Sequence, residues 1–203
     1  MIDRVSERRA TAVRVTTIGS CAALTAAIPV TFAPGGGAGG LDTAIAAPVR
    51  RQVSPGLAEF LVAPSNGPVV LILLFAACAW FAVRGHWWRA ATMLVVPEIA
   101  VAVNTWVLKP LWERPLHDYL AYPSGHTVHL VAVATTFACL LASVRPRIAI
   151  AALTAVALAS ITAGMIVLGY HHATDVFGGA AAAVALSIGL CRLAVLLRVR
   201  AGR

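Results

Sequence analysis

Apolar runs of roughly 17–23 residues recur along this chain, and they constrain its fold more than any other feature. Hydrocarbon offers a backbone no hydrogen-bond partner, so a run that crosses lipid must close its own bonds as a helix. Six such runs fall at about 13–33, 68–83, 90–108, 126–144, 148–168 and 174–196. The expected fold class is therefore all-α, an integral membrane bundle of six transmembrane helices. Of the 203 residues, 60% are hydrophobic and 12% charged, against about half and a quarter in soluble domains. That leaves one membrane domain over 13–196, a polar N-terminal segment at 1–12 and a short basic tail at 197–203.

The connections are short. Residues 34–67 form the longest, an outer interfacial loop that opens with the run Gly35-Gly36-Gly37-Ala38-Gly39-Gly40, read as a flexible linker. Its remainder, 41–63, is mildly amphipathic and interrupted by Pro48 and Pro55, which suits short helices lying in the interface. Arg84 to Arg89 and Arg145-Pro146-Arg147 read as tight turns, and 109–125 and 169–175 as polar loops on the outer side. The first run follows Arg4, Arg8 and Arg9 and could be a signal peptide. It is long for one, and the small-residue box Ala44-Ile45-Ala46 lies far beyond it, so it is read as a retained helix.

Charge decides orientation. With the N-terminus inside, twelve arginines fall on one side and only Arg50, Arg51, Lys109 and Arg114 on the other. The positive-inside rule then places both termini in the cytoplasm. The formal charge of +8 is spread over helix ends rather than a basic stripe with aromatics, so no nucleic-acid partner is expected. Cys21, Cys78, Cys139 and Cys191 all sit in apolar runs and read as small hydrophobes.

Three polar clusters interrupt this background: Lys109 to Arg114, Pro123-Ser124-Gly125-His126, and His171 to Asp175. The fourth run leads away from His126 and the fifth returns to His171. At roughly 30 Å of rise each, both ends reach the same membrane face. An anionic phosphate suits this set. Lys109 supplies a point charge and Arg114 a bidentate fork. Ser124 and Gly125 open a helix whose first amides and positive dipole end favour an anion. His171 and Asp175 are four apart, so the carboxylate can orient one ring nitrogen and leave the other to attack. His126 is placed to protonate a leaving alkoxide. A metal site of His126, His171 and Asp175 is the competing reading, which the neighbouring cations disfavour.

The clusters resemble the three motifs of the type 2 phosphatidic acid phosphatase family, lipid phosphate phosphatases related to vanadium haloperoxidases. The resemblance covers about 109–179. It implies that His171 is transiently phosphorylated, that Asp175 orients it and that His126 protonates the leaving group. It further implies that Lys109, Arg114, Ser124 and Gly125 hold the phosphoryl oxygens, with no metal or other cofactor. The partners implied are a lipid phosphate (phosphatidate, phosphatidylglycerol phosphate or polyprenyl phosphate type) and the surrounding membrane lipids. The implied location is the inner, plasma membrane with the site on its outer face.

Two positions depart from the pattern. Only four residues separate Lys109 from Arg114-Pro115, and Leu116-His117 stand where the usual Arg-Pro falls; Gly164-Met165 replace the Ser-Arg of the third motif. A binder or carrier of lipid phosphates that kept the pocket is the alternative these losses suggest. If the site were otherwise conventional, an arginine at position 165 should strengthen phosphate binding or raise turnover, unless Arg114 already occupies that space, when activity should fall. His129 and His172 read as bystanders, and Glu98, a carboxylate inside the third run, has no assigned task. Reporter fusions after Gly40, Arg89, Tyr119 and Arg147 should read outside, inside, outside, inside. An inside signal at Tyr119 would move the three clusters to the cytoplasm.

Overall fold

In the computed structural model, which describes residues 2–201, the apolar runs are helices. Four stretches serve as long spans: α1 (Ile2–Ala27), α5 (Trp87–Val103), α8 (Val144–Leu168) and α9 (Ala173–Ala201). Two short helices, α2 (Gly40–Gln52) and α3 (Pro55–Val62), precede α4 (Gly67–Val83). A wide π-turn over Asn104–Leu108 carries α5 into the single-turn α6 (Lys109–Trp112), and a hairpin of β1 (Pro115–Leu116) and β2 (Tyr119–Leu120) follows. The remaining helix is α7 (Gly125–Leu140). Met1 and Gly202-Arg203, the end of the expected tail, lie outside the described residues.

Five segments are long and apolar enough to cross a membrane: Arg8–Thr31, Pro55–Val83, Trp87–Trp112, Val144–Leu168 and Ala173–Ala201. Large apolar side chains such as Ile72, Phe75, Leu153 and Val156 point outward. That is a surface made for acyl chains, and the chain is a multi-pass membrane protein. The fourth expected span is shorter than the rest. At 16 residues α7 rises roughly 24 Å.

Several boundaries differ from the sequence expectation, each for a local reason. α1 starts within the polar segment, because nothing in residues 2–12 breaks a helix. The stretch expected to lie in the interface is divided: α2 packs against α8 and α9, while α3 continues through Ala63–Ser65 into α4. Arg145-Pro146-Arg147 is not the turn. It forms the first turn of α8, where a proline lacks no needed N–H. From there the Arg147 Nε donates to the Leu141 carbonyl at 3.0 Å, satisfying the end of α7.

α7 is the axis of the bundle, packed on α9, α5, α8 and α4 with Val128, Val131 and Ala132 fully enclosed. Glycines let two other elements come close. A Cβ on Gly164 of α8 would lie 2.7 Å from the Ala58 carbonyl oxygen and 3.0 Å from the Val62 nitrogen, so α3 crosses α8 at backbone contact. Next to it Met165 is wholly buried in an apolar cluster with Val62, Leu130, Ile161 and Val176. Gly164-Met165 are thus packing residues for α3, which overturns the expectation that an arginine at 165 would reach a phosphate.

Met165→Arg should instead place an uncompensated charge in that cluster, at a cost of about 3–5 kcal/mol. Gly164→Val should cost about 1–3 kcal/mol by forcing α3 from α8. Melting of the detergent-solubilised variants checks both. An unchanged transition in Met165→Arg would mean that α3 does not pack there.

Candidate active site

The site is assembled where the ends of α5, α7, α8 and α9 meet. The loop before α7 is pinned from three sides. Asn104 Nδ2, in the π-turn, donates to the Pro123 carbonyl at 3.3 Å, and the Ser124 amide donates to the Asp175 carbonyl at 3.0 Å. Tyr122 Oη donates to the Thr25 carbonyl of α1 at 2.6 Å. Gly178 and Gly179 of α9 make room for this loop: a Cβ on Gly178 would meet the Tyr122 ring at 2.1 Å, and one on Gly179 the Ser124 carbonyl oxygen at 2.8 Å. The hairpin closes the other side, with His117 Nε2 3.2 Å from the Gly169 carbonyl oxygen and the Tyr119 hydroxyl donating to the Tyr170 carbonyl. Leu116-His117 serve this hairpin, His117 at φ 55° in its turn.

A cavity of ≈ 670 Å³ opens among these elements, lined by Lys109, Tyr119, Gly125, His126, His129 and His171, among others. The imidazoles of His126 and His171 stand across it with ring centroids 6.4 Å apart and planes at 73°. Tyr119 meets the His171 ring edge-on at 5.9 Å. Lys109 Nζ donates to the Leu120 carbonyl, which holds the ammonium at the cavity wall. His171 Nδ1 lies 3.5 Å from Asp175 Oδ2, inside ion-pair range but without a hydrogen bond. Catalytic hydrogen bonds are often this long before substrate tightens them. His129 continues the α7 face one turn beyond His126, and its Nε2 is 3.1 Å from Glu98 Oε1. The carboxylate without an assigned task thus pairs with a histidine of the cavity wall.

Arg114 is elsewhere. It is 1% exposed, and five donations occupy its guanidinium. Nε donates to the Gly36 carbonyl at 2.8 Å and Nη2 to the Gly37 carbonyl at 3.0 Å. Nη2 also donates to Asp42 Oδ2 at 2.8 Å, and Nη1 to Thr174 Oγ1 at 2.7 Å and Asp175 Oδ1 at 2.6 Å. Phe32 stacks on its face at 3.7 Å. A guanidinium has five N–H groups, so none is left for a phosphate. Ser124 is also fully buried, its Oγ accepting from Thr127 Oγ1 at 3.1 Å. Of the expected residues, then, Lys109, Gly125, His126 and His171 meet at the cavity. Asp175 stands behind His171, and Arg114 and Ser124 do not line the cavity.

Asp42 is the residue that sequence reasoning missed. It is 2% exposed and bonds the Thr174 amide at 2.9 Å and hydroxyl at 3.0 Å as well as Arg114. Burial pushes its carboxyl up, but the donations from Arg114 and Thr174 outweigh that and hold it below the usual carboxylate range. The glycine run is no free linker, since Gly36 and Gly37 carry carbonyls bonded to Arg114 and a Cβ on Gly36 would strike Pro115 at 2.6 Å. The available signal was weak: a carboxylate just after a run of glycines. Burial, with Arg114 nearby, keeps the His172 ring below the usual histidine range.

Breaking one member of this buried set should be severe. Arg114→Ala and Asp42→Ala should each lose about 3–5 kcal/mol, and the double variant less than their sum because both remove one interaction. The depressed Asp42 carboxyl contributes stability that is full above the unfolded carboxylate value and fades as pH falls through the folded one. Asp42→Asn should therefore flatten the acid limb of a melting-temperature profile. Strict additivity in the cycle would show that the two side chains do not act together.

Residues 104–198 match the profile of the PAP2 superfamily. No curated protein matches the chain. Among solved structures, it is similar to a transmembrane PAP2 type phosphatidylglycerolphosphate phosphatase from Bacillus subtilis, with a TM-score of 0.67 at 22% identity, over 92% of this chain and 96% of that one. That likeness establishes a shared fold, in which the matched residues carry all three polar clusters. The family match over residues 104–198 and the shared fold together support a type 2 phosphatidic acid phosphatase reading of this multi-pass membrane protein.

Proposed function

We propose that this protein hydrolyses a phosphate ester of a membrane lipid through a phosphohistidine. The observation that carries the reading is the cavity with two imidazoles facing each other across 6.4 Å and one lysine on its wall. His171 Nε2 attacks phosphorus as the bond to the lipid oxygen breaks, and His126 gives its proton to the departing alkoxide. Asp175 then holds the charged ring through Nδ1. In the second half His126 takes a proton from water, whose oxygen displaces His171 and releases inorganic phosphate. Lys109 and the amide of Gly125 at the start of α7 hold the phosphoryl oxygens. Both Asp175 oxygens already accept donors, Oδ1 from Arg114 and Oδ2 from the His172 amide at 2.8 Å. That occupancy favours an orienting carboxylate over a metal ligand.

The substrate class is a lipid phosphomonoester, because Lys109 is the one fixed cation that lines the cavity among the described residues. A phosphatidylglycerol phosphate type of lipid is favoured by the solved structure of the same fold. We read the five long apolar segments, with α7 as a shorter sixth, as six crossings. The bias of basic residues then sets both termini inside, with the cavity at the outer face of the plasma membrane.

His171→Ala should lower turnover of a short-chain lipid phosphate by about a thousandfold or more. His126→Ala should cost roughly 10²–10⁴-fold, and His172→Ala should be mild. Activity should survive EDTA and fall with vanadate, an oxyanion that adopts the geometry of the transferring phosphoryl group. Rescue of an EDTA-inactivated protein by zinc would establish the metal reading instead, and tight phosphate binding without release would establish the carrier.

A further inference from the structure

A second cavity, ≈ 800 Å³, lies between α1, α7, α8 and α9. Its walls are largely apolar, from Leu24 and Phe177 at one end to Ile188 and Val195 at the other. Phe177 and Arg192 are 15 residues apart on α9, so the groove runs roughly 22 Å along that helix, somewhat longer than the half-thickness of a hydrocarbon core at about 15 Å. Arg14, Arg147 and Arg192, from three different helices, complete the lining. Arg14 lies midway along α1, Arg147 in the first turn of α8 and Arg192 in the second half of α9, toward the end of the bundle away from His126 and His171. Among the described residues no carboxylate lies within ion-pair distance of any of the three. Arg147 uses Nε and Nη2 on the Leu141 carbonyl, which leaves Nη1 free to donate elsewhere.

Three guanidinium groups at the mouth of an apolar groove, at the end of a bundle, match one kind of molecule. We propose that this groove is a binding site for an anionic phospholipid of the leaflet opposite the catalytic cavity. Its phosphate lies among Arg14, Arg147 and Arg192, and its acyl chain lies along α9 toward Phe177. Charge complementarity selects the head group, since basic pockets between transmembrane helices hold anionic lipids and each basic residue adds to that attraction. The apolar length selects a lipid over a free anion. The site is separate from the proposed chemistry and stands or falls without it.

Native mass spectrometry of the whole protein in mild detergent, with phosphatidylglycerol and phosphatidylcholine in competition, tests this. Phosphatidylglycerol is a phosphodiester and no substrate for the proposed hydrolysis. The unaltered protein should retain one phosphatidylglycerol with a preference of about tenfold or more. Arg14→Gln with Arg192→Gln should bring the preference to within about twofold while the protein still binds lipid. Ala155→Phe, which fills the groove and keeps the arginines, should reduce retention of both lipids. Lys109→Gln, at the other end, should change neither. An unaltered preference in the double arginine variant would overturn the proposal. So would loss of the lipid in Lys109→Gln, which would put it in the catalytic cavity, or a bound mass equal to a second copy of the chain.

Discussion

The rest of this structure depends on one guanidinium kept out of water. Arg114 joins Asp42 and Asp175, on segments far apart in sequence, through bonds of 2.8 and 2.6 Å at side chains with almost no exposure. A charge buried like this is tolerable only when it is paired and every donor is used, and here both conditions hold. The interaction adds little through attraction alone, because desolvation offsets much of it. Its effect is one of placement. With Arg114 fixed, the glycine run, α2, the hairpin and the start of α9 have a single mutual arrangement, and His171 projects from it.

This placement explains how the site differs from the family pattern. Leu116-His117 shape a hairpin turn that docks on Gly169, and Gly164-Met165 form the seat of α3 on α8. Neither replacement is a gap in the cavity wall. What remains facing the cavity is one fixed cation, Lys109, with three histidines beside it. The electrostatic field is therefore milder than two further arginines would make it, and it is more dependent on the protonation of the rings.

Much of this was legible in the residues. The apolar runs gave the helices, since lipid leaves a backbone no other choice. The helical hairpin between His126 and His171 returns the chain to one face, although α7 and α8, at 16 and 25 residues, are not the equal pair that the sequence suggests. What could not be read was anything set by contacts between distant segments. Glycine-rich 35–40 looked like a linker because flexibility is local, whereas its carbonyls are ordered by an arginine far along the chain. Arg114 looked like a phosphate fork because composition cannot show that its donors are already taken. Asp42 was silent for the same reason. α3 was mistaken for an interfacial helix because only the missing Cβ of Gly164 reveals how near it lies to α8.

The packing of α1 on α9 joins the first and the last helix of the described residues. Through the bond from Tyr122 to the Thr25 carbonyl, that same first helix holds the loop in front of His126. A ribosome makes α1 well before α9. The face of α1 that packs on α9 therefore has no protein partner until α9 has been made. The loop in front of His126 also bonds α9 through the Asp175 carbonyl, so a nascent chain that stalls before α9 presents membrane helices without an assembled centre.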